Sequence, residues 1–347
     1  MQIDFHHAVT YVAARIAGFP HDAAATIAYA AQYVDDATSS GVVCFDTGAM
    51  YFRSSSAHKM LDPDNLVNAE NHLSWLPFHF LPGGDELVGD QNLGSFTRKI
   101  VCKPASLPAQ AMVAAALADK GMPYALHRLG IAMHVYADTW AHQGFAGVLD
   151  DINDVIGAED IGKSGVFGSS LWDALTSEVE ANLPPIGHAR AGVLPDMPFL
   201  HWKYTNGAGQ VINRDNTDFF VDAAIAICKA MQQYLGKPQL GIGQADLQVI
   251  QALFSGTLDQ DGEVRHKVWL GAIEQGRFSF GAATISYADD GRDSWKAAAL
   301  GTSADMPVHK YPADFLQSDW KLFHDALQQH RITLLHHILP RYGICAG

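Results

Sequence analysis

The residues with the clearest chemistry lie in one segment, LHRLGIAMHVYADTWAHQGF, where His134, Asp138 and His142 recur every fourth position. On an α-helix each such step turns only about 40° around the axis, so the three side chains share one face. Imidazole and carboxylate are the donors that suit zinc and similar divalent ions. The outer histidines would stand about 12 Å apart along the axis, too far to be held by one tetrahedral ion. Two ions bridged by Asp138 fit the spacing, since paired metals usually sit about 3.5–4 Å apart, and their remaining ligands must come from other elements. The competing reading is a buried polar stripe whose histidines bond to neighbouring helices.

The elements that must position these groups are mostly helical. Asp4 is placed to cap a first helix that runs to Ala17 and stops at Gly18-Phe19-Pro20, and a second, alanine-rich helix starts at His21-Asp22. Residues 41–55 pattern as two short strands around Thr47-Gly48. Helices are predicted over Asn68–Phe80, Leu107–Lys120 and Pro123–Phe145, then over Trp172–Ala181, 216–235, 245–256, 262–276 and 315–338. Segments 147–169, 204–215 and 277–310 read as irregular. The pattern predicts one mainly α domain over 1–347 with a small β-hairpin, a metal-binding core in 1–202 and additional helices in 203–347.

Composition narrows the class. The chain is 48% hydrophobic and only 17% charged, against about 25% charged for an ordinary globular protein, which implies a large buried fraction and excludes disorder. With 37 acidic and 23 basic residues, a net charge of −14 and no basic cluster, a stable nucleic-acid partner is not expected. No apolar run reaches membrane-spanning length and no secretory signal opens the sequence. The four scattered cysteines suit a reducing compartment, so a cytoplasmic location is expected. Oligomeric state is not legible.

The segment HVYADTWAH with Gln143 resembles the helix motif of the zinc-dependent phospholipase C / P1 nuclease superfamily. It is closest to the Het-C-like members; phospholipases and nucleases proper carry two more residues before the second histidine. Other anchors fall in the same order. His6 opens HHAVTYVAA, Asp35 ends AAQYVDD, and His58 stands in AHKMLDPDN, similar to a His-x-x-x-Asp-Pro-Asp-Asn stretch of bacterial phospholipases. The resemblance spans residues 1 to about 200 and suggests an uncharacterised bacterial family on that scaffold.

The resemblance implies a two- or three-ion cluster of zinc, or of iron or manganese. His58, His134 and Asp35 would hold one ion, His142, His188 and Asp196 another, and His6 with the Met1 amine a third, around a bridging Asp138. The family closes its cluster with a His-xxx-Glu/Asp pair, but position 192 is glycine here, so Asp196 or His201 must substitute. The implied activity is hydrolysis of a small anionic phosphoester or a lipid, with Asp35, or else Asp36, as the catalytic base. The alternative is a non-catalytic, Het-C-like binding protein that keeps the scaffold.

Several other motifs are weaker. Gly157–Ser164 matches the P-loop spelling, but Asp150–Asp154 precedes it where a buried strand is needed, and Glu159 and Asp160 would repel phosphate. His21-Asp22 matches the dyad of HD-type phosphohydrolases and is also an ordinary acidic helix start. His6 and His7 read equally as first-turn surface residues. His72, Trp75, Phe78, His79 and Phe80 pattern as core packing, or as the wall of a pocket beside the metals. His324, His330, His336 and His337 wrap around their helix and read as structural.

Overall fold

The computed structural model describes residues 1–57, 68–84, 96–162, 164–165 and 185–346, with side chains in the segment after Asn68 described from Leu73. His58 and Trp172–Ala181 lie outside the described residues.

The N-terminus enters the core at once. A π-helical turn, Asp4–Val9, leads into α1 (Thr10–Ala17), and such wide turns are common at functional sites. Gly18, at φ 107°, ends α1 in the left-handed region, and Pro20 precedes α2 (His21–Asp36). Asp4 is not a cap as expected. It is fully buried and ion-paired to Arg265, because the following turn carries His6 and His7 inward, where both are buried rather than solvated.

The central element is α6 (Ala125–Ala141), preceded by α3 (Asn68–Phe78), α4 (Phe96–Ile100) and α5 (Leu107–Ala118). The Ser106 hydroxyl caps α5, with proline in its first turn. Later come α7 (Asn216–Tyr234), α8 (Gln244–Gly256), α9 (Gly262–Glu274), α10 (Trp295–Leu300) and α11 (Asp319–Ile332). α6 packs against α2, α5, α7 and α11, so nearly every one of its residues is buried.

Small residues set how closely the helices meet. A Cβ on Gly130 would stand 2.4 Å from the Ile27 carbonyl oxygen and 2.8 Å from the Ala30 methyl. The glycine and the alanines of α2 therefore let the two backbones approach, and this approach brings α2 carbonyls within reach of α6 side chains.

Two antiparallel sheets are present among the described residues, rather than the one hairpin expected. β1 (Gly41–Cys44) and β2 (Met50–Arg53) form the predicted hairpin. The second sheet has the order β3-β4-β5, from Ile156–Asp160, His201–Thr205 and Val211–Asp215. It corrects the irregular assignments at 147–169 and 204–215. Glycines and aspartates mask β3, whereas β4 and β5 pair around a turn whose Asn206 side chain accepts from the amides of Ala208 and Gln210. Phe145, Trp202 and Tyr204 stack in the core under this sheet, beside Phe80, Leu194 and Met197.

Candidate metal centre

His134, Asp138 and His142 do share one buried face of the α6 segment, each at most 4% exposed. Around them gather the Met1 amine, His6 from the π turn, Asp35 from the end of α2, His79 just after α3, and His188 and Asp196 from the turns before β4. Three groups have donor atoms mutually within 4.8 Å: His6, His134 and Asp138; Asp35, His79 and His134; and His142, His188 and Asp196.

The backbone fixes which nitrogen of four imidazoles faces inward. The Nδ1 of His134 lies 2.8 Å from the Ala31 carbonyl oxygen, the Nε2 of His79 3.0 Å from that of Ser56, the Nδ1 of His142 2.7 Å from that of His79, and the Nδ1 of His188 2.8 Å from that of Gly192. A carbonyl only accepts, so each of these nitrogens donates and the other carries a lone pair when the ring is neutral. That is the outer-shell arrangement that orients metal-binding histidines.

Those inward nitrogens meet acceptors. His134 Nε2 lies 3.3 Å from Asp138 Oδ2, 3.7 Å from Asp35 Oδ1 and 3.4 Å from His79 Nδ1. His142 Nε2 stands 3.7 Å from Asp196 Oδ1 and His188 Nε2 3.6 Å from Asp196 Oδ2; His6, whose ring no carbonyl orients, places its Nε2 3.2 Å from Asp138 Oδ1. Lone pairs facing carboxylates repel unless a cation lies between them. Both His6 ring nitrogens, Asp138 Oδ2, His142 Nε2 and Asp196 Oδ1 are buried with no hydrogen-bond partner, and each such orphan costs free energy in a dry interior. Two ligands about 2.0–2.1 Å from a tetrahedral ion are roughly 3.3–3.4 Å apart, and these pairs lie close to that, at 3.2–3.7 Å. The donor set fits divalent cations.

The Met1 amine donates to Asp138 Oδ1 at 2.7 Å and lies 3.2 Å from Asp196 Oδ1. Burial disfavours its charge, but Asp138, Asp196 and Asp35 outweigh that and hold it at about 11. Burial keeps His6 and His188 neutral, at about 4. Among the carboxyls, Asp138 and Asp196 are held well below the ordinary range despite their burial, with the Met1 ammonium 2.7 Å and 3.2 Å away among the groups that favour their charge. Asp35 goes the other way, pushed well up by desolvation and by the charge of Asp138. Its side chain is 30% exposed where that of Asp138 is 1%, so Asp35 stands at the edge that solvent reaches.

The expected residues divide clearly. Met1, His6, Asp35, His134, Asp138, His142, His188 and Asp196 are brought together. Asp36 is not: its carboxylate accepts from Gln32 and Tyr287 outside the cluster. His201 pairs with Asp215 instead of closing the cluster. Gly192, where the family pattern asks for an acid, supplies the carbonyl that orients His188. His79, which the sequence did not assign to the cluster, joins Asp35 and His134, whereas His58 lies outside the described residues; Phe80 stacks on His142 with ring centres 4.5 Å apart. The only sequence signal for His79 was its place in the aromatic turn before Pro82-Gly83-Gly84.

Sequence reasoning also missed the residues that hold these ligands. Arg265 on α9 pairs with Asp4 at 2.7 Å, reaches the Gln2 side chain at 2.6 Å and the Asp196 carbonyl at 3.4 Å. Arg214 on β5 donates to the Ala141 and Gln143 carbonyls at the C-terminus of α6, on either side of His142. Asn216 donates to the Leu194 and Met197 carbonyls, bracketing Asp196. Each is buried.

The remaining motifs lie elsewhere. His21 hydrogen-bonds the Tyr11 hydroxyl at 2.8 Å, away from the cluster. In the P-loop look-alike, residues 157–160 belong to β3 and the Ser164 amide and hydroxyl bond the Asp160 carboxylate; Lys163 is outside the described residues. His324 and His330 are buried in packing roles, and His336 and His337 are exposed.

The chain belongs to a family of unknown function, DUF6765, whose model matches residues 1–338. No curated protein and no solved structure matches it. No helix among the described residues is long and apolar enough to cross a membrane.

Proposed function

We propose that this protein is a metal-dependent hydrolase of phosphoester bonds, built on the phospholipase C / P1 nuclease plan that its motifs resemble. One observation carries the reading: inward-facing imidazole lone pairs, locked by backbone carbonyls, converge on three carboxylates at metal-ligand spacing. Asp35, His79 and His134 would hold one ion, His142, His188 and Asp196 a second, and His6 with the Met1 amine, once it yields its proton, a third, with Asp138 common to them. Zinc suits this nitrogen-rich set, and iron or manganese would also be accepted. Bound ions would supply Lewis acidity toward a phosphoryl oxygen and lower the pKa of a coordinated water toward 7.

The chain's own residues supply the rest. Asp35 combines a raised carboxyl pKa with partial exposure, and so can take a proton at its Oδ atoms where substrate must enter. Phe80 and the stacked His6–His134 pair, 3.8 Å between ring centres, pack the imidazoles and exclude water behind them. A cation cluster also reverses the local sign of an acidic protein, which admits an anionic substrate. The four free cysteines support a reducing, cytoplasmic setting, and hence a small phosphoester or a lipid met inside the cell.

The test is turnover of bis(p-nitrophenyl) phosphate by metal-loaded protein. Hydrolysis that disappears on chelation, returns with zinc and is absent from Asp138→Ala supports the reading. Metal without turnover of this or other phosphodiesters favours the binding-protein alternative.

A further inference from the structure

A second polar site lies beside the metal centre on the other side of the same two elements. A cavity of about 250 Å³ is lined by Gln32, Asp36, Glu263, His266, Tyr287 and Asp289. At about 30 Å³ per water, it has room for roughly eight waters or one small organic molecule. Asp36, the sequence neighbour of the metal-centre residue Asp35, lines it, and His7, the neighbour of His6, is bonded to the lining residue His266.

The tautomers here are fixed by a relay. His7 Nδ1 lies 2.9 Å from His266 Nε2, and the remaining His7 nitrogen is bonded to the Ser286 backbone carbonyl. That nitrogen donates, so His7 Nδ1 accepts and His266 Nε2 donates to it. His266 Nδ1 is left with a lone pair and no partner among the described residues, on a ring whose residue is only 4% exposed and which lines the cavity. Asp36 adds a carboxylate held by Gln32 at 3.0 Å and by Tyr287 at 2.5 Å. Glu263 and Asp289 stand exposed at the rim. Burial, with Asp261 and Asp36, pushes the Glu263 carboxyl up despite Lys267 nearby. The lining therefore offers three carboxylates and an imidazole lone pair, with no lysine or arginine among the described residues that form it.

We propose that this cavity binds an organic cation bearing N–H donors, an alkylammonium or guanidinium group, independently of the metal centre. A small metal ion fits poorly, because these donors are not among the groups whose ligand atoms lie mutually within 4.8 Å. A quaternary ammonium is also disfavoured: Tyr287 is the only phenyl-type wall among the described lining residues, and the acceptors require hydrogens to receive.

The experiment is calorimetric titration of the full, metal-loaded chain with agmatine, with tetramethylammonium and Mg²⁺ as controls. Agmatine is expected to bind saturably, one per chain. The rim variant Glu263→Gln/Asp289→Asn should weaken it at least tenfold, with Tm and metal content unchanged. Absence of saturable binding, equal binding by tetramethylammonium, or binding unchanged in the rim variant would overturn the proposal. So would loss of a divalent ion from the rim variant, which would make the cavity a metal site. Because agmatine and tetramethylammonium are compared on the unmodified chain, the proposal can fail whether or not the variant folds.

Discussion

The chain divides into a part that supplies the proposed ligands and a part that holds them in place. All the gathered donors, from the Met1 amine to Asp196, precede β4. Arg214, Asn216 and Arg265, which clamp the end of α6, the Asp196 turn and the N-terminal π turn, all follow it. The first part carries recognisable motifs because coordination chemistry restricts residue type and spacing. The second holds main-chain carbonyls and one buried carboxylate, tasks that many sequences could perform. The lesson is that the region without a motif is as necessary to the site as the region with one.

That division can be broken at several strengths. Asp138→Ala removes the carboxylate common to all the proposed ions, and phosphodiester turnover should fall below detection with loss of stoichiometric metal, read by activity and elemental analysis. Arg265→Ala attacks the site from the other region. Removing one partner of a buried ion pair typically costs about 3–5 kcal/mol, so the melting temperature should fall steeply and metal affinity with it. The double change Asp4→Asn/Arg265→Met should recover much of the stability, and intact metal affinity in Arg265→Ala would show that the clamp is not needed.

Gly130→Ala is subtler. Its methyl would press on the Ile27 carbonyl, an overpacking cost of about 1–3 kcal/mol, and would part α6 from α2 at the His134–Ala31 bond. Loss of an outer-shell partner usually lowers metal affinity about 10–100-fold, measurable by chelator competition. At the small end, His21→Ala should leave metal content unchanged and stability within about 0.5 kcal/mol. A loss of metal there would revive the HD-type reading.

Acid should act on the second region through its buried neutral imidazoles. Burial holds His324 at about 3, and His266 at about 4 with Lys267 adding to the effect. Below their ordinary value near 6.5 the unfolded chain takes up protons that the folded chain refuses, so the unfolded state is favoured as pH falls. Stability should be full above about 6.5 and decline progressively toward pH 4, as followed by thermal melts; a flat profile over that range would contradict the buried neutral assignment.

Legibility followed the same divide. Four-residue spacing on α6 exposed the ligand face because helical geometry is local, and the Thr47-Gly48 hairpin was visible for the same reason. His79 was hidden because its neighbours Trp75, Phe78 and Phe80 gave it the signature of packing, which Phe78 and Phe80 indeed perform. The choice between Asp35 and Asp36 depended on which carboxylate Tyr287, some 250 positions away, would take, and no local pattern carries that. Arg265 carries no local signal of its role, because its partner Asp4 lies 261 positions away in the chain. β3 was missed because Gly157, Glu159 and Asp160 contradict strand propensity, and pairing with β4 overrides them.

The central claim is that the inward lone pairs exist to hold cations, and elemental analysis of protein purified without chelator tests it most directly. Two or three equivalents of a divalent transition metal per chain are predicted, with most of it missing from Asp138→Ala. A folded wild-type chain with no stoichiometric metal, before or after incubation with zinc, would contradict the account.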